Sequence, residues 1–230
     1  GRDGFYKGEV AEDMVSSLNA LGGTHSLEDF ENVKCNYTTP ISGKYGNIEM
    51  FEHPPNGQGA TAICINNILS HFDIKSMDAF GVQRTHIEAE ATKLAYDARN
   101  RFIADKSNRI DHMLSMETAK NLASLINPKS VTVNVKSITE SVHKETICLT
   151  IVDKDLMSVS LIYSVFHSFG SGFASSKYGI NFQNRGAGFT LERNHPNEVG
   201  AKKRPMHTII PGMLKKNDKI LMPFCVMGGA

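Results

Sequence analysis

The stretch from Thr146 to Gly172, TICLTIVDKDLMSVSLIYSVFHSFGSG, decides how this chain is read. Ile147 to Val152 and Met157 to Tyr163 are rich in β-formers, and Asp153-Lys154-Asp155 between them is turn chemistry, so the two runs predict a hairpin. A single threonine, Thr146, stands at the head of the first run, and Gly170-Ser171-Gly172 closes the stretch. A threonine hydroxyl in that place becomes a nucleophile when chain cleavage frees its own α-amine to serve as base. Cys148 shares a strand face with Thr146. Its expected role is packing, because free cysteine is usually buried.

The rest of the chain bounds the answer. It has 230 residues, 40% hydrophobic and 21% charged, with a net charge of +1. That is ordinary globular composition, enough for one large domain or two small ones. The near-neutral balance gives no support for nucleic acid or an anionic membrane as main partner. No apolar run approaches the roughly 20 residues that span a bilayer. The compartment stays open between cytoplasm and periplasm. Cys35, Cys64, Cys148 and Cys225 form no C-x-x-C pair and fit no common zinc spacing, so all four are expected to be free, partly buried thiols.

Helical patterning dominates the first half. Val10, Met14, Leu18 and Leu21 recur at helical spacing before Gly22-Gly23. Ser26-Leu27-Glu28-Asp29 resembles a capping box. Pro54-Pro55-Asn56-Gly57-Gln58-Gly59 predicts a loop, followed by an apolar helix near Ala60 to Leu69. Ile87, Ala91, Leu94, Ala98 and Phe102 mark one face of a helix from about Arg84, and another helix is expected from Glu117 to Ile126. Strands dominate the second half, at Val131 to Val135, in the hairpin, at Tyr178 to Gln183, at His207 to Ile210 and at Ile220 to Val226, with a turn at Lys216-Asn217-Asp218. Met222, Phe224 and Val226 are expected to face a core. Helices first and strands second predict a layered α+β or α/β architecture. Ser137 to Glu145, polar and charged, is the expected linker.

Several motifs together resemble the gamma-glutamyltransferase family of N-terminal nucleophile hydrolases. They are Gly4-Phe5-Tyr6-Lys7-Gly8-Glu9, Gly22-Gly23 with Glu28-Asp29, the Pro54-Pro55 loop, the helix from His86-Ile87-Glu88-Ala89 to Asp97-Ala98-Arg99, Val152-Asp153-Lys154-Asp155, and Phe169-Gly170-Ser171-Gly172. None is specific alone; their order and spacing are. The resemblance implies a four-layer α/β/β/α sandwich, of which this chain is a fragment. Residues 1–145 would be the C-terminal part of a large subunit, and 146–230 the N-terminal part of a small catalytic one, sharing one structural domain truncated at both ends. The two would form a heterodimer made from one precursor. The arginine with which the family holds the substrate carboxylate would lie in the part that is missing.

The resemblance also implies a mechanism. The precursor would break its own Glu145–Thr146 bond through an N-to-O acyl shift and hydrolysis of the ester. The freed α-amine, with an unperturbed pKa of about 7.7–8.0, would act as general base. Thr146 would then attack an amide carbonyl to give an acyl-enzyme. The backbone N–H groups of Gly228 and Gly229 would hold the oxyanion, each such donor being worth on the order of 3 kcal/mol in the barrier. Ser164 falls where the family usually has a second threonine touching the nucleophile. No cofactor and no metal are expected. His86 and Glu90, one helical turn apart, lack a third ligand and read as a surface pair.

Departures from the family pattern redirect the substrate. Thr146-Ile147-Cys148 replaces Thr-Thr-His, and Phe166 replaces an asparagine. Gln183-Asn184-Arg185-Gly186-Ala187-Gly188-Phe189 replaces an acidic loop, leaving Gly188 where an aspartate holds the substrate α-amine. His207-Thr208 replaces a serine pair. Arg185 would repel that amine by several kcal/mol if both were buried, and its forked guanidinium suits a carboxylate instead. The expected substrate site comprises Ser164, Asn184, Arg185, His207 and Thr208. The Asn-Arg-Gly loop, with His195-Pro196-Asn197 and Arg204-Pro205-Met206-His207-Thr208, resembles the branch that includes oxamate amidohydrolase and acylase-like members. An autoprocessing amidohydrolase acting on a small carboxylate-bearing amide is therefore expected, ahead of a gamma-glutamyl transferase and glutathione hydrolase, and ahead of a non-catalytic binding member.

Overall fold

The computed structural model describes residues 1–131 and 146–226. Helices α1 (Arg2–Tyr6), α2 (Glu9–Ala20) and α3 (Leu27–Glu31) open the chain, and strands β1 (Ile41–Tyr45) and β2 (Ile48–Glu52) follow. Next come α4 (Gly59–Leu69), α5 (Val82–Phe102), α6 (Ile110–Leu114) and α7 (Met116–Ala123). After Thr146 lie β3 (Ile147–Val152), β4 (Ser158–Tyr163), β5 (Gly212–Lys216) and β6 (Lys219–Phe224), with a 3₁₀ turn at Arg185–Gly188.

The core sits between α4, α5 and α7. Ala60, Cys64 and Ile68 of α4 meet Ile87, Ala91 and Leu94 of α5, with Ile103, Met113 and Ala119 closing the cluster. Spacing of three to four residues puts each set on one helical stripe, and burying that stripe is what stabilises these helices. A hairpin, β1–β2, lies beside α4. Gly43 makes the close approach possible, because a Cβ there would run into the Ile63 side chain.

Four antiparallel strands form one sheet in the order β1-β2-β5-β6, and β3 and β4 form a second. The β3–β4 hairpin is in the expected place, running from the Ile147–Tyr163 pair to the Val152–Ser158 pair. Its turn is set by Asp153, whose Oδ1 accepts the N–H groups of Asp155 and Met157. The turn at Asn217-Asp218 is also as expected, both residues having positive φ as a tight hairpin requires. The capping box at Ser26 and Asp29 is formed in full.

Several expectations are corrected. The first half is not purely helical, because β1 and β2 lie there and pair with β5 from the second half. Tyr178–Gln183 is not a strand. Its neighbourhood has an isolated bridge between Ala174 and Asn181, and the N–H groups of Lys177 and Tyr178 are taken by Asp13 of α2. This polar dock also explains why α2 buries Ala11, Asp13, Met14 and Ser17 rather than the full apolar stripe. His207–Ile210 is not a strand either, since His207 bridges to Gly57 in a loop. In β6, Met222 is exposed, and Val226 beyond it is too, so that face is not a core among the described residues. Glu90 is fully buried, not a surface partner of His86. It pairs with Lys93, while His86 bonds the Asn127 carbonyl.

Cysteine usage is corrected as well. Cys148 and Cys225 are joined in a disulfide, and only Cys35 and Cys64 are free. Their sequence separation of 77 residues hid the pairing. The fold closes it by laying the β3–β4 hairpin against β6, where Ser160 Oγ also donates to the Phe224 carbonyl at 2.8 Å. The strand Val131–Val135, apart from its first residue, and the linker Ser137–Glu145 lie outside the described residues.

Candidate active site

The antiparallel register places Thr146 opposite Ser164, one step beyond the Ile147–Tyr163 pair. Thr146 Oγ1 donates to Ser164 Oγ at 3.2 Å. The Ser164 oxygen also accepts the Phe166 N–H at 2.9 Å, so the hydroxyl is held from two sides. Phe166 itself has φ of 81°, a left-handed conformation that bulky residues seldom adopt. It turns the chain sharply after β4 and puts the phenyl ring beneath Arg185.

Arg185 begins the 3₁₀ turn and is only 7% exposed. Its guanidinium carbon lies 4.3 Å from the Phe166 ring centroid. Nη1 donates to Thr208 Oγ1 at 2.8 Å, whereas Nη2 is buried with no hydrogen-bond partner among the described residues. Burial pulls its pKa down to about 10, which leaves it protonated at neutral pH. A buried cation with an unused donor is costly unless an anion arrives to meet it.

Asn184 serves the same turn. Its Oδ1 accepts the His167 N–H, its Nδ2 pairs with His167 Nδ1 at 2.7 Å, and its own N–H donates to the Val165 carbonyl. Both ends of this amide are thus engaged with the loop that follows Ser164. Further along that loop Gly170 has φ of 60°, and a Cβ there would strike the Phe182 carbonyl, so only glycine fits this turn.

His207 and Thr208 sit on a segment clamped by the Pro54–Gln58 loop. The His207 N–H donates to Asn56 O at 2.8 Å and its carbonyl accepts the Gln58 N–H at 2.9 Å. Asn56 Nδ2 donates to Pro205 O and Gln58 Nε2 to Thr208 O. His207 is held neutral, its pKa lowered to about 4 by burial, then by the charge of Arg185 and by His53. Asn197 ties the 3₁₀ turn to the segment before His207, its Nδ2 donating to Gly188 O and its Oδ1 accepting the Met206 N–H.

The structure therefore joins Thr146, Ser164, Arg185 and Thr208 through Phe166, with Asn184 and His207 flanking them. Glu145, Gly228 and Gly229 lie outside the described residues. A separate cavity of about 490 Å³, lined by residues including Phe51, Glu52, His53, Ser160 and Met213, contains none of the expected site residues. Sequence reasoning gave Asn56 and Gln58 no role beyond a turn, and Asn197 none beyond its place in the His195-Pro196-Asn197 motif. The signal for the first two was the Asn-Gly-Gln-Gly run after Pro55, which reads as turn chemistry.

The hydroxyl pair at the open end of the β3–β4 hairpin and the buried, half-satisfied Arg185 belong to a mixed α/β chain with antiparallel sheets. The gamma-glutamyltranspeptidase family model matches residues 1–230, and the chain belongs to that family. It is 30% identical over 232 residues to the glutathione hydrolase-like YwrD proenzyme of Bacillus subtilis. The same identity over the same length relates it to the oxamate amidohydrolase proenzyme of Klebsiella pneumoniae. In each case all of this chain is covered but only 43% of the relative, so the chain spans less than half the length of these curated relatives. Among solved structures, a cephalosporin acylase from Bacillus halodurans superposes with a TM-score of 0.87 at 34% identity, covering 99% of this chain and 41% of the other.

Proposed function

We propose that residues 1–145 and 146–230 belong to the large and small subunits of an autoprocessing amidohydrolase, within the four-layer sandwich of the N-terminal nucleophile hydrolases. Cleavage before Thr146 frees its α-amine, which takes the hydroxyl proton as Oγ1 attacks the substrate amide carbonyl. Ser164 orients the hydroxyl. Gly228 and Gly229 donate to the oxyanion, the amine leaves, and water resolves the ester. Arg185 takes a carboxylate elsewhere on the same small substrate through Nη2. His207, neutral above about pH 4, lines this side without adding charge.

The observation that carries this reading is the pairing of the Thr146–Ser164 hydroxyl contact with the unpartnered Nη2 of Arg185 on the next turn. Oxamate amidohydrolase and cephalosporin acylase among the relatives support a substrate other than a gamma-glutamyl compound. Glutathione hydrolases stand among the relatives too, one from Escherichia coli at 28% identity, and favour gamma-glutamyl hydrolysis as the second reading. Gly188, which offers no carboxylate to a substrate α-amine, weighs against it. A non-catalytic member would have no use for a buried cation left half-satisfied.

Intact-mass analysis of the full-length gene product, beside Thr146→Ala, tests the nucleophile. Two fragments split before Thr146 in the wild type and one chain in the variant are expected; one uncut chain in both would overturn the reading. Relative kcat/KM for oxamate, glutaryl p-nitroanilide and γ-glutamyl p-nitroanilide then separates the two substrate classes.

A further inference from the structure

Gln58 precedes α4, 8% exposed, with both ends of its side-chain amide engaged. Oε1 accepts from Arg99 Nη1 at 3.0 Å in a buried contact. Nε2 donates to the Thr208 carbonyl at 2.8 Å. Thr208 in turn accepts Arg185 Nη1 on its hydroxyl at 2.8 Å. An unbroken line thus runs from Arg99 on α5, through Gln58 and Thr208, to Arg185. Arg99 and Arg185 are each 7% exposed, so little water competes along it.

We infer that Gln58 is a positioning residue for substrate selection. It fixes the Thr208 backbone so that the threonine hydroxyl occupies one guanidinium nitrogen of Arg185 and leaves Nη2 aimed at the substrate carboxylate. This rests on the carboxylate-binding reading of Arg185. The loop itself does not need the side-chain bond, because the Gln58 N–H and the Asn56 carbonyl and amide already clamp residues 205–207. The Gln58 amide is the group that connects this clamp to Arg185. Glutamine suits the place because it must accept from a cation on one side and donate to a carbonyl on the other. Glutamate would keep the first bond and set two acceptors face to face in the second.

The test uses the full-length processed enzyme as wild type, Gln58→Glu and Arg185→Gln. Glutaryl p-nitroanilide is compared with pentanoyl p-nitroanilide, which has a methyl where the former has a carboxylate. Binding of glutarate by calorimetry supplies a readout without turnover. In Gln58→Glu, KM for the glutaryl substrate and Kd for glutarate should rise at least tenfold, with kcat and the pentanoyl KM within threefold. A tenfold loss in Arg185→Gln but none in Gln58→Glu would overturn the inference and leave the Arg185 reading intact. No carboxylate preference in the wild type, or none lost in Arg185→Gln, would overturn both. If Gln58→Glu does not fold, Arg99→Met loosens the same amide from the far side. It should raise the glutaryl KM about threefold, and a change in kcat alone would count against the proposal.

Discussion

Thr146 and Ser164 face each other across the open end of the β3–β4 hairpin, hydroxyl to hydroxyl at 3.2 Å. The antiparallel ladder of β3 and β4 brings the two residues opposite each other, within reach of this contact. Ser164→Ala removes the bond from Thr146, a neutral hydrogen bond worth about 1 kcal/mol, together with the one from the Phe166 N–H, and should slow self-cleavage at least about fivefold without abolishing it. A time course of intact mass reads the rate. Unchanged cleavage would mean that Ser164 does not orient the nucleophile.

Gly188 has room for a side chain, since a Cβ there would meet the Met206 carbonyl at 3.4 Å and Pro205 Cβ at 3.6 Å, near ordinary contact distances. Gly188→Asp should therefore fold, and it places a carboxylate where an α-amine can use it. The ratio of γ-glutamyl to glutaryl p-nitroanilide turnover should rise at least tenfold. A ratio that stays put would show that this turn does not face the substrate.

Arg185 holds its guanidinium carbon 4.3 Å from the Phe166 ring centroid while Nη1 bonds Thr208, a combination that lysine, with no fork of donors, cannot reproduce. Arg185→Lys should thus behave like a loss of function on carboxylate-bearing amides, lowering kcat/KM by tenfold or more. Retention of full activity would indicate that a point charge suffices.

Glu52 ends β2 at 1% exposure, with neither carboxyl oxygen bonded among the described residues. Burial pushes its pKa up to about 8 from 4.5. The folded state thus holds a proton that the unfolded chain releases above 4.5, and its contribution to stability is lost as pH rises from there toward 8, by at most about 1.4 kcal/mol per pH unit. Glu52→Gln should gain thermal stability over the wild type increasingly between about pH 5 and pH 8. A difference in Tm that does not change with pH would refute this.

The Cys148–Cys225 bond should appear as a linked peptide in a non-reduced digest. Replacing both residues by serine should lower stability by about 2–4 kcal/mol in urea unfolding, as expected when a long loop is no longer closed in the unfolded chain. Four alkylatable thiols in the non-reduced protein would contradict the bond.

Local signals in the chain were faithful where short-range chemistry decides structure. The Asp153 turn, the Ser26 box and the α4 and α5 stripes all depend on residues within a few positions of each other. What stayed illegible depends on distant partners. β2 pairs with β5 across more than half the chain, and Glu49 or Met50 gives no hint of Lys215 or Leu214. Arg185 could be singled out from its loop. Its perch on Phe166 could not, because a left-handed phenylalanine has no sequence signature. Gln58 was equally hidden, its meaning resting on Arg99 and Thr208, which the fold alone brings to it.

The order β1-β2-β5-β6 has one more consequence. β1 and β2 precede Thr146 and β5 and β6 follow it, so a break before Thr146 would leave a single sheet woven from two polypeptides. Both cysteines of the disulfide fall on the downstream side. Dilution should therefore never part the two products, while boiling in detergent should release them even with no reductant present.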